Sequence, residues 1–266
     1  MRKTLYTLRE SPSIAVERAL AMLDAVAAST GGLSNSHLSR RLAIPKSSAS
    51  YILRVLERRG ILLRDAESGK YRLGLKLLSL AHAVEAGSDL RAAALPAMRH
   101  FVQRTGLTAH LAVLDRGEAV YIEKVEAPSF IRMDTWVGRR MQINSTSVGK
   151  ALVAWLPEEE VDEILRLHGL KKRTGYTIIL KPRFLGELKK TRQRGYAVDD
   201  EENSLGARCV AVPVRDPLGN VRAALGVSGP LHEVTEAAIP RIAGHLREAA
   251  GRITQQLRRQ SGVSRR

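Results

Sequence analysis

The sequence predicts an α+β protein in two parts. A small helical unit closed by a β-hairpin comes first; beyond a connecting helix lies a larger unit of antiparallel strands with helices packed around them. Three observations predict this. Three runs of apolar residues at helical spacing occupy the first sixty positions, and a strand–turn–strand pattern follows at once. Residues 75–86, "LKLLSLAHAVEA", read as a helix more apolar than a free spacer needs. From residue 107 onward, hairpins and helical runs are interspersed, as expected of an antiparallel sheet covered by helices.

At 266 residues the chain is long enough for two modest domains or one large one, and 44% apolar content is ample for their cores. No apolar run approaches the roughly 18 residues that span a bilayer. The start, "MRKTLYTLRESPS", lacks the apolar stretch of a secretory signal. Cys209 is the single cysteine, so no intrachain disulfide forms; a reducing, cytoplasmic setting with no structural metal and no cofactor is expected. The net charge is +16, densest at the two ends: residues 1–87 carry 14 Lys/Arg against 7 Asp/Glu, and the tail adds Arg258, Arg259, Arg265 and Arg266. Such a balance suits a polyanionic partner. An Arg-rich composition inherited from a GC-rich genome is the plainer source of the same charge.

In the first unit, Val16, Ala19, Leu20, Leu23 and Ala27 recur at helical spacing until Gly31-Gly32. Ser34 caps a short helix that ends near Leu42, with Leu33 placed to staple against Leu38. Pro45 then suits the first turn of a third helix. In "PKSSASYILRVLERRG", Ala49, Ile52, Leu53 and Leu56 fall on one face and Ser47, Ser50, Tyr51 and Arg54 on the other. The second face is small, hydrogen-bonding and basic, without the Glu/Lys pairs of an ordinary solvated helix. It suits close approach to base edges in a major groove. "ILLRDAESGKYRLG" reads as strand, turn at Asp65 to Gly69, and strand. Together these elements predict a winged helix-turn-helix. Arg40, Lys46, Lys70 and Arg72 are the candidate phosphate contacts, and Ser47, Ser50, Tyr51 and Arg54 the candidate readers of sequence. Winged helices also serve as protein-interaction modules, and that alternative stands beside the double-stranded DNA reading.

The connecting helix, 75–88, is expected to pack against a second copy. Further on, the pattern predicts a helix over 90–105, a hairpin over 107–114 and 119–125, and a strand in "FIRMDTWVG". Helices follow over 147–156 and 157–168, then a short strand at 196–198 and strands over 207–214 and 221–228. A final helical run covers 235–257, with Pro240 marking a break or restart. The acidic run Asp199-Asp200-Glu201-Glu202 is contiguous, lacks calcium-loop spacing and reads as solvated.

"NSTSVGKALVAW", residues 144–155, invites two catalytic readings. A phosphate-binding loop needs G-x-x-x-x-G-K-[ST], but Asn144 stands where the first glycine belongs and Ala151 follows Lys150. An acyl-serine hydrolase using Ser147 and Lys150 needs a Lys-Thr-Gly strand, and only the interrupted Lys172-Arg173-Thr174-Gly175 approaches it. That hydrolase is kept as the alternative function. What remains is a hydroxyl- and amide-rich loop entering a helix, fit for a small carboxylate or for plain helix capping.

Several motifs occur in a telling order. "SIAVERALAMLDAV", "LSRRLAIPKSSASYILRVLERRGILLRD" and "YRLGLKLLSLA" are followed by "STSVGKALVAWLP", "RGYAVDDEENSLGARCVAVPVRD" and "ALGVSGP". Over nearly its whole length the chain resembles the IclR family of bacterial transcription regulators. The resemblance implies a winged helix-turn-helix over 1–74, a linker helix over 75–88 and a profilin- or GAF-like effector-binding domain over 89–258; by its composition the basic tail over 259–266 reads as disordered. The resemblance also implies a non-enzymatic regulator, a repressor or a dual regulator, that binds palindromic operator DNA as a homodimer or dimer of dimers. A small organic or aromatic acid would change its DNA affinity. The effector contacts carried over are Thr146, Ser147, Val148, Asp199, Cys209 and Ser228. Two positions depart from the family pattern: Asn144 stands where a histidine is common, and Gly226 where a serine is common. The scarcity of aromatic residues points to pocket walls such as Met133, Met141 and Leu205.

Overall fold

A computed structural model describes residues 13–86, 89–128 and 134–260 of the chain, which divides into two compact units, 1–87 and 88–266.

The first unit opens with α1 (Ile14–Ala27), α2 (Asn35–Arg41) and α3 (Lys46–Arg58). Ser34 caps α2, its hydroxyl accepting from the His37 N–H at 3.3 Å. The turn into α3 bends through Ala43, whose φ of 52° is left-handed, and the Ile44 N–H closes it on the Ser39 carbonyl at 3.0 Å. A hairpin follows, β1 (Leu62–Arg64) against β2 (Tyr71–Leu73), and its second strand is bridged to Leu33. Met22 and Val26 of α1, Leu38 of α2, Leu53 of α3, and Leu62 and Tyr71 of the hairpin share one core. Burying these apolar faces is what stabilises helices as short as α2, which are marginal alone. After the hairpin, α4 (Lys76–Ala86) leaves Leu78, Leu80 and Val84 exposed.

The second unit is a six-stranded antiparallel sheet, in the order β5-β4-β3-β8-β7-β6. Its strands are β3 (Thr108–Asp115), β4 (Glu118–Val125), β5 (Arg140–Met141), β6 (Ala197–Asp200), β7 (Ala207–Arg215) and β8 (Val221–Pro230). The alternation of the strands sorts two cores. On one face Leu111, Val210, Val212, Leu225 and Val227 meet α5 (Asp89–Thr105) and α9 (Ile239–Gln260). On the other, Ala112, Ala211 and Ala224 face α6 (Ser147–Val153), with α7 (Glu158–His168) and α8 (Lys181–Arg194) beyond it. The small residues of that second face let α6 lie close. A Cβ on Gly226 would stand 2.8 Å from Val148 Cγ1.

Three expectations change. Helix α8 was not anticipated: "KPRFLGELKKTRQR" buries only Phe184, Leu188 and Thr191, a stripe too narrow to show as a periodic run. The strand expected in "FIRMDTWVG" is not found at residues 134–138, its other positions lie outside the described residues, and the next strand is the two-residue β5. Helix α9 continues to Gln260, past the expected domain end at 258; residues 261–266 of the expected tail lie outside the described residues. Pro240 falls in the first turn of α9, after a 3-10 turn at Glu236–Ala238, where its missing N–H costs no helical bond. Among the described residues, no helix is long and apolar enough to cross a membrane.

Candidate functional site

Two surfaces carry the candidate residues, one in each unit. On α3, Ala49, Ile52 and Leu53 turn inward, so Ser47, Tyr51 and Arg54 are exposed and Ser50 is half-buried. Tyr51 is 65% exposed, large for an aromatic side chain without a partner to cover it. Lys46 begins the helix and is exposed, as is Arg40 on α2. In the wing, Asp65 accepts from the Ser68 N–H at 2.8 Å and the Ser68 hydroxyl at 2.6 Å, holding a tight turn between Arg64 and Lys70. Those bonds hold the Asp65 carboxyl below its usual range. Lys70 is half-buried and Arg72 exposed. Arg58, one turn beyond Arg54, lines the same shallow groove with Tyr51. It is the residue that the four-residue reading face missed, although the i, i+4 spacing shows it.

In the second unit a cavity of about 190 Å³ lies between the start of α6 and the sheet. Strand register explains its floor. Asp199 of β6 pairs with Cys209 of β7, and Cys209 with Ser228 of β8, so three polar side chains form one row. The Cys209 thiol lies between Asp199 and Ser228, and both influence its titration. Thr146, Ser147 and Val148 enter from above. Thr146 caps α6, accepting from the Gly149 N–H at 3.2 Å and donating to the Gln142 carbonyl at 2.8 Å. The N–H groups of Ser147 and Val148 fall in the first helical turn, where the helix itself offers no acceptor. All six effector candidates thus border one space.

Burial sets the charge state of the floor. It presses the His110 imidazole down to about 3, with Lys124 adding to the effect. It also pushes the Tyr121 phenol upward and, with Asp199 alongside, the Cys209 thiol well above its usual value. The Asp199 carboxyl is pushed up to about 7 by burial, against the pull of Lys150 and of the N–H of Asn203. Near neutrality the floor therefore offers neutral donors and one carboxyl that is partly protonated.

The acidic run is not solvated as expected. Asp199 and Glu202 are buried, while Asp200 pairs outside with Arg208. The Asp199 carboxylate accepts the N–H groups of Glu202 and Asn203 at 2.9 and 3.2 Å, which curls the chain inward. Lys150 explains Glu202. Its fully buried ammonium pairs with that carboxylate and donates to the Val198 carbonyl at 2.8 Å. It does not line the cavity. An ammonium held this way is no base for Ser147, so the geometry removes the Ser/Lys hydrolase.

Asn144 does not border the cavity either. Its amide donates to the carbonyls of Lys171 and Ile178 at 3.2 and 2.9 Å, pinning the loop that brings Arg173 to the cavity rim. Of the anticipated walls, Met141 lines the cavity, Leu205 is 68% exposed elsewhere and Met133 lies outside the described residues. The structure adds His110, Tyr121, Asp134, Arg139 and Arg173. His110 and Tyr121 were legible as inward positions of a hairpin. The two arginines depend on loop placement and had no sequence signal.

Comparison with known proteins agrees with both units. The IclR helix-turn-helix domain model matches residues 15–66, and the bacterial transcriptional regulator IclR C-terminal model matches residues 82–255. The chain is 36% identical over 242 residues to the HTH-type transcriptional regulator XynR of Escherichia coli K12, covering 91% of this chain and 96% of that one. It is 34% identical over 222 residues to the HTH-type transcriptional repressor AllR of the same strain, covering 84% and 82%. A crystal structure of an IclR homologue from Microbacterium hydrocarbonoxydans, complexed with 4-hydroxybenzoate, superposes with a TM-score of 0.79. That match is 29% identical and covers 92% of this chain and 99% of that one.

Proposed function

Because this chain belongs to the IclR family of DNA-binding transcription regulators, we propose that it is a repressor whose operator affinity is set by a small organic acid bound in the cavity under α6. Its relatives are regulators rather than enzymes, and the chain is a regulator too. The observation that carries the effector reading is convergence. Residues from β6, β7, β8 and the α6 entry, up to 82 positions apart in sequence, border one small, donor-lined space. The homologue complexed with 4-hydroxybenzoate supports a carboxylic acid as the ligand class.

Ser47, Ser50, Tyr51 and Arg54 read base edges in this proposal, and Arg40, Lys46, Lys70 and Arg72 position the duplex. Thr146, Ser147, Val148, Asp199, Cys209 and Ser228 hold the effector. The protein acts as a dimer or dimer of dimers, a reading supported by the exposed Leu78, Leu80 and Val84 of α4. Residues 1–74 act on DNA, 75–88 link, and 89–258 sense. Effector biases two states by binding one better than the other. The test is fluorescent duplex DNA from the gene's own upstream region, titrated at several salt concentrations with and without small carboxylic acids, 4-hydroxybenzoate included. Specific binding that an acid weakens is expected. Affinity no greater than for random duplex sinks the DNA reading, and specific binding that no acid alters sinks the effector reading.

A further inference from the structure

A fixed cation would select for an acid more strongly than neutral donors can, and the cavity floor has none. His110 is neutral, and the Lys150 ammonium is paired with Glu202 outside the lining. The amide groups at the start of α6 are neutral donors. Among the described lining residues, only Arg139 and Arg173 bring full cations.

These two differ. Arg173 is exposed, so water screens its charge. The side chain of Arg139 is only 19% exposed, and its guanidinium stacks over Trp136 with 4.5 Å to the ring centroid. Among the described residues its ion-pair partner is Asp134, 3.1 Å from Nη1, whose own side chain is 87% exposed. No side-chain hydrogen bond engages this guanidinium among the described residues. A mostly desolvated fork with a solvated, replaceable partner is suited to exchange that partner for a ligand carboxylate. The backbone fixes its place: Tyr121 donates its N–H to the Arg139 carbonyl at 3.1 Å, and Gly138 donates to the Tyr121 carbonyl at 2.7 Å.

We propose that Arg139 is the specificity-determining residue that recognises the effector's carboxylate, releasing Asp134 to do so, with Trp136 as the ring against which the guanidinium is held. The proposal rests on the reading of this cavity as the effector site. It also places the selection for acids in a loop residue rather than in the strand row or the α6 entry.

The experiment uses the full chain carrying Trp155→Phe, which leaves Trp136 as the sole tryptophan. Its fluorescence is titrated with sodium benzoate, sodium 4-hydroxybenzoate and, as a neutral isostere, benzamide. A saturable change with at least one acid and none with benzamide is expected. Arg139→Gln should raise the half-saturating concentration about tenfold to a hundredfold, the effect of a lost charge-assisted hydrogen bond. Arg139→Lys should fall between, and Arg173→Gln should change it less than threefold. Asp134→Asn should lower it, because a competitor has gone; a purely structural Arg139 would not produce that tightening. Arg139 variants are compared at matched folded fraction by circular dichroism. If the acids bind equally well to Arg139→Gln, or if Arg173→Gln is the damaging change, the proposal is overturned while the cavity reading survives. If no acid alters Trp136 and none shifts the melting temperature, the cavity reading itself fails and this proposal with it.

Discussion

Lys150 shows how one residue can suggest a chemistry and serve a structure. It follows Gly149 as the lysine of a phosphate loop would, and follows Ser147 at the spacing of a hydrolase base, yet its ammonium is spent on Glu202 and the Val198 carbonyl. Glu202 in turn offers its backbone carbonyl to the hydroxyls of Thr177 and Thr174, at 2.6 and 3.3 Å. The lysine therefore fixes, from behind, the turn that supplies Asp199, Asn203 and Ser204 to the cavity. Burying two charges is costly, and removing one partner leaves the other uncompensated. Lys150→Met should lose about 3–5 kcal/mol of unfolding free energy, and adding Glu202→Gln should recover part of it. Urea unfolding of the two variants checks this. A loss of less than about 1 kcal/mol in Lys150→Met would show that the pair does not hold the turn.

At the scale of elements, the closeness of α6 to the sheet decides the shape of the cavity. Gly226 makes that closeness possible, because any Cβ there meets Val148 Cγ1 at 2.8 Å and Ala211 Cβ at 3.1 Å. Gly226→Ala should therefore destabilise by about 1–3 kcal/mol through overpacking, and Val148→Ala on top of it should be partly compensating. A double-mutant cycle by thermal unfolding measures the coupling; strict additivity would mean that α6 is not held against β8 at this point. The same elements show what the sequence made legible. Helices α1, α3, α5 and α9 and the hairpin of β3 and β4 each announce themselves by a local period, and so were expected nearly where they stand. Helix α8 did not, because its core contribution is three side chains. The cavity was only half legible. Its strand row and α6 entry sit in recognisable motifs, whereas Arg139 and Arg173 arrive through loops set by distant bonds, such as Asn144 to residues 171 and 178. Non-local hydrogen bonds leave no period to read.

For the whole molecule, the question is how a net charge of +16 is divided between general attraction and sequence reading. Charge spread over the surface raises affinity for any duplex, but only contacts that displace condensed counterions give a salt slope. If Arg40, Lys46, Lys70 and Arg72 each meet a phosphate, a dimer makes about eight such contacts. The logarithm of its affinity should then fall against the logarithm of salt with a slope near −7. Lys70→Ala removes one contact per copy, so it should flatten the slope by about 2 and weaken specific and random duplexes alike. Arg54→Ala should behave differently. Its guanidinium lies on the exposed face of α3 and is assigned to a base edge, so its loss should cut the ratio of specific to random binding by about 1–3 kcal/mol. The two variants thus separate along two axes measured on the same duplexes, slope and ratio. Equal losses on both axes would mean that α3 and the wing share one electrostatic role, and that the small, hydroxyl-bearing face of α3 has to be read as a surface for something other than bases.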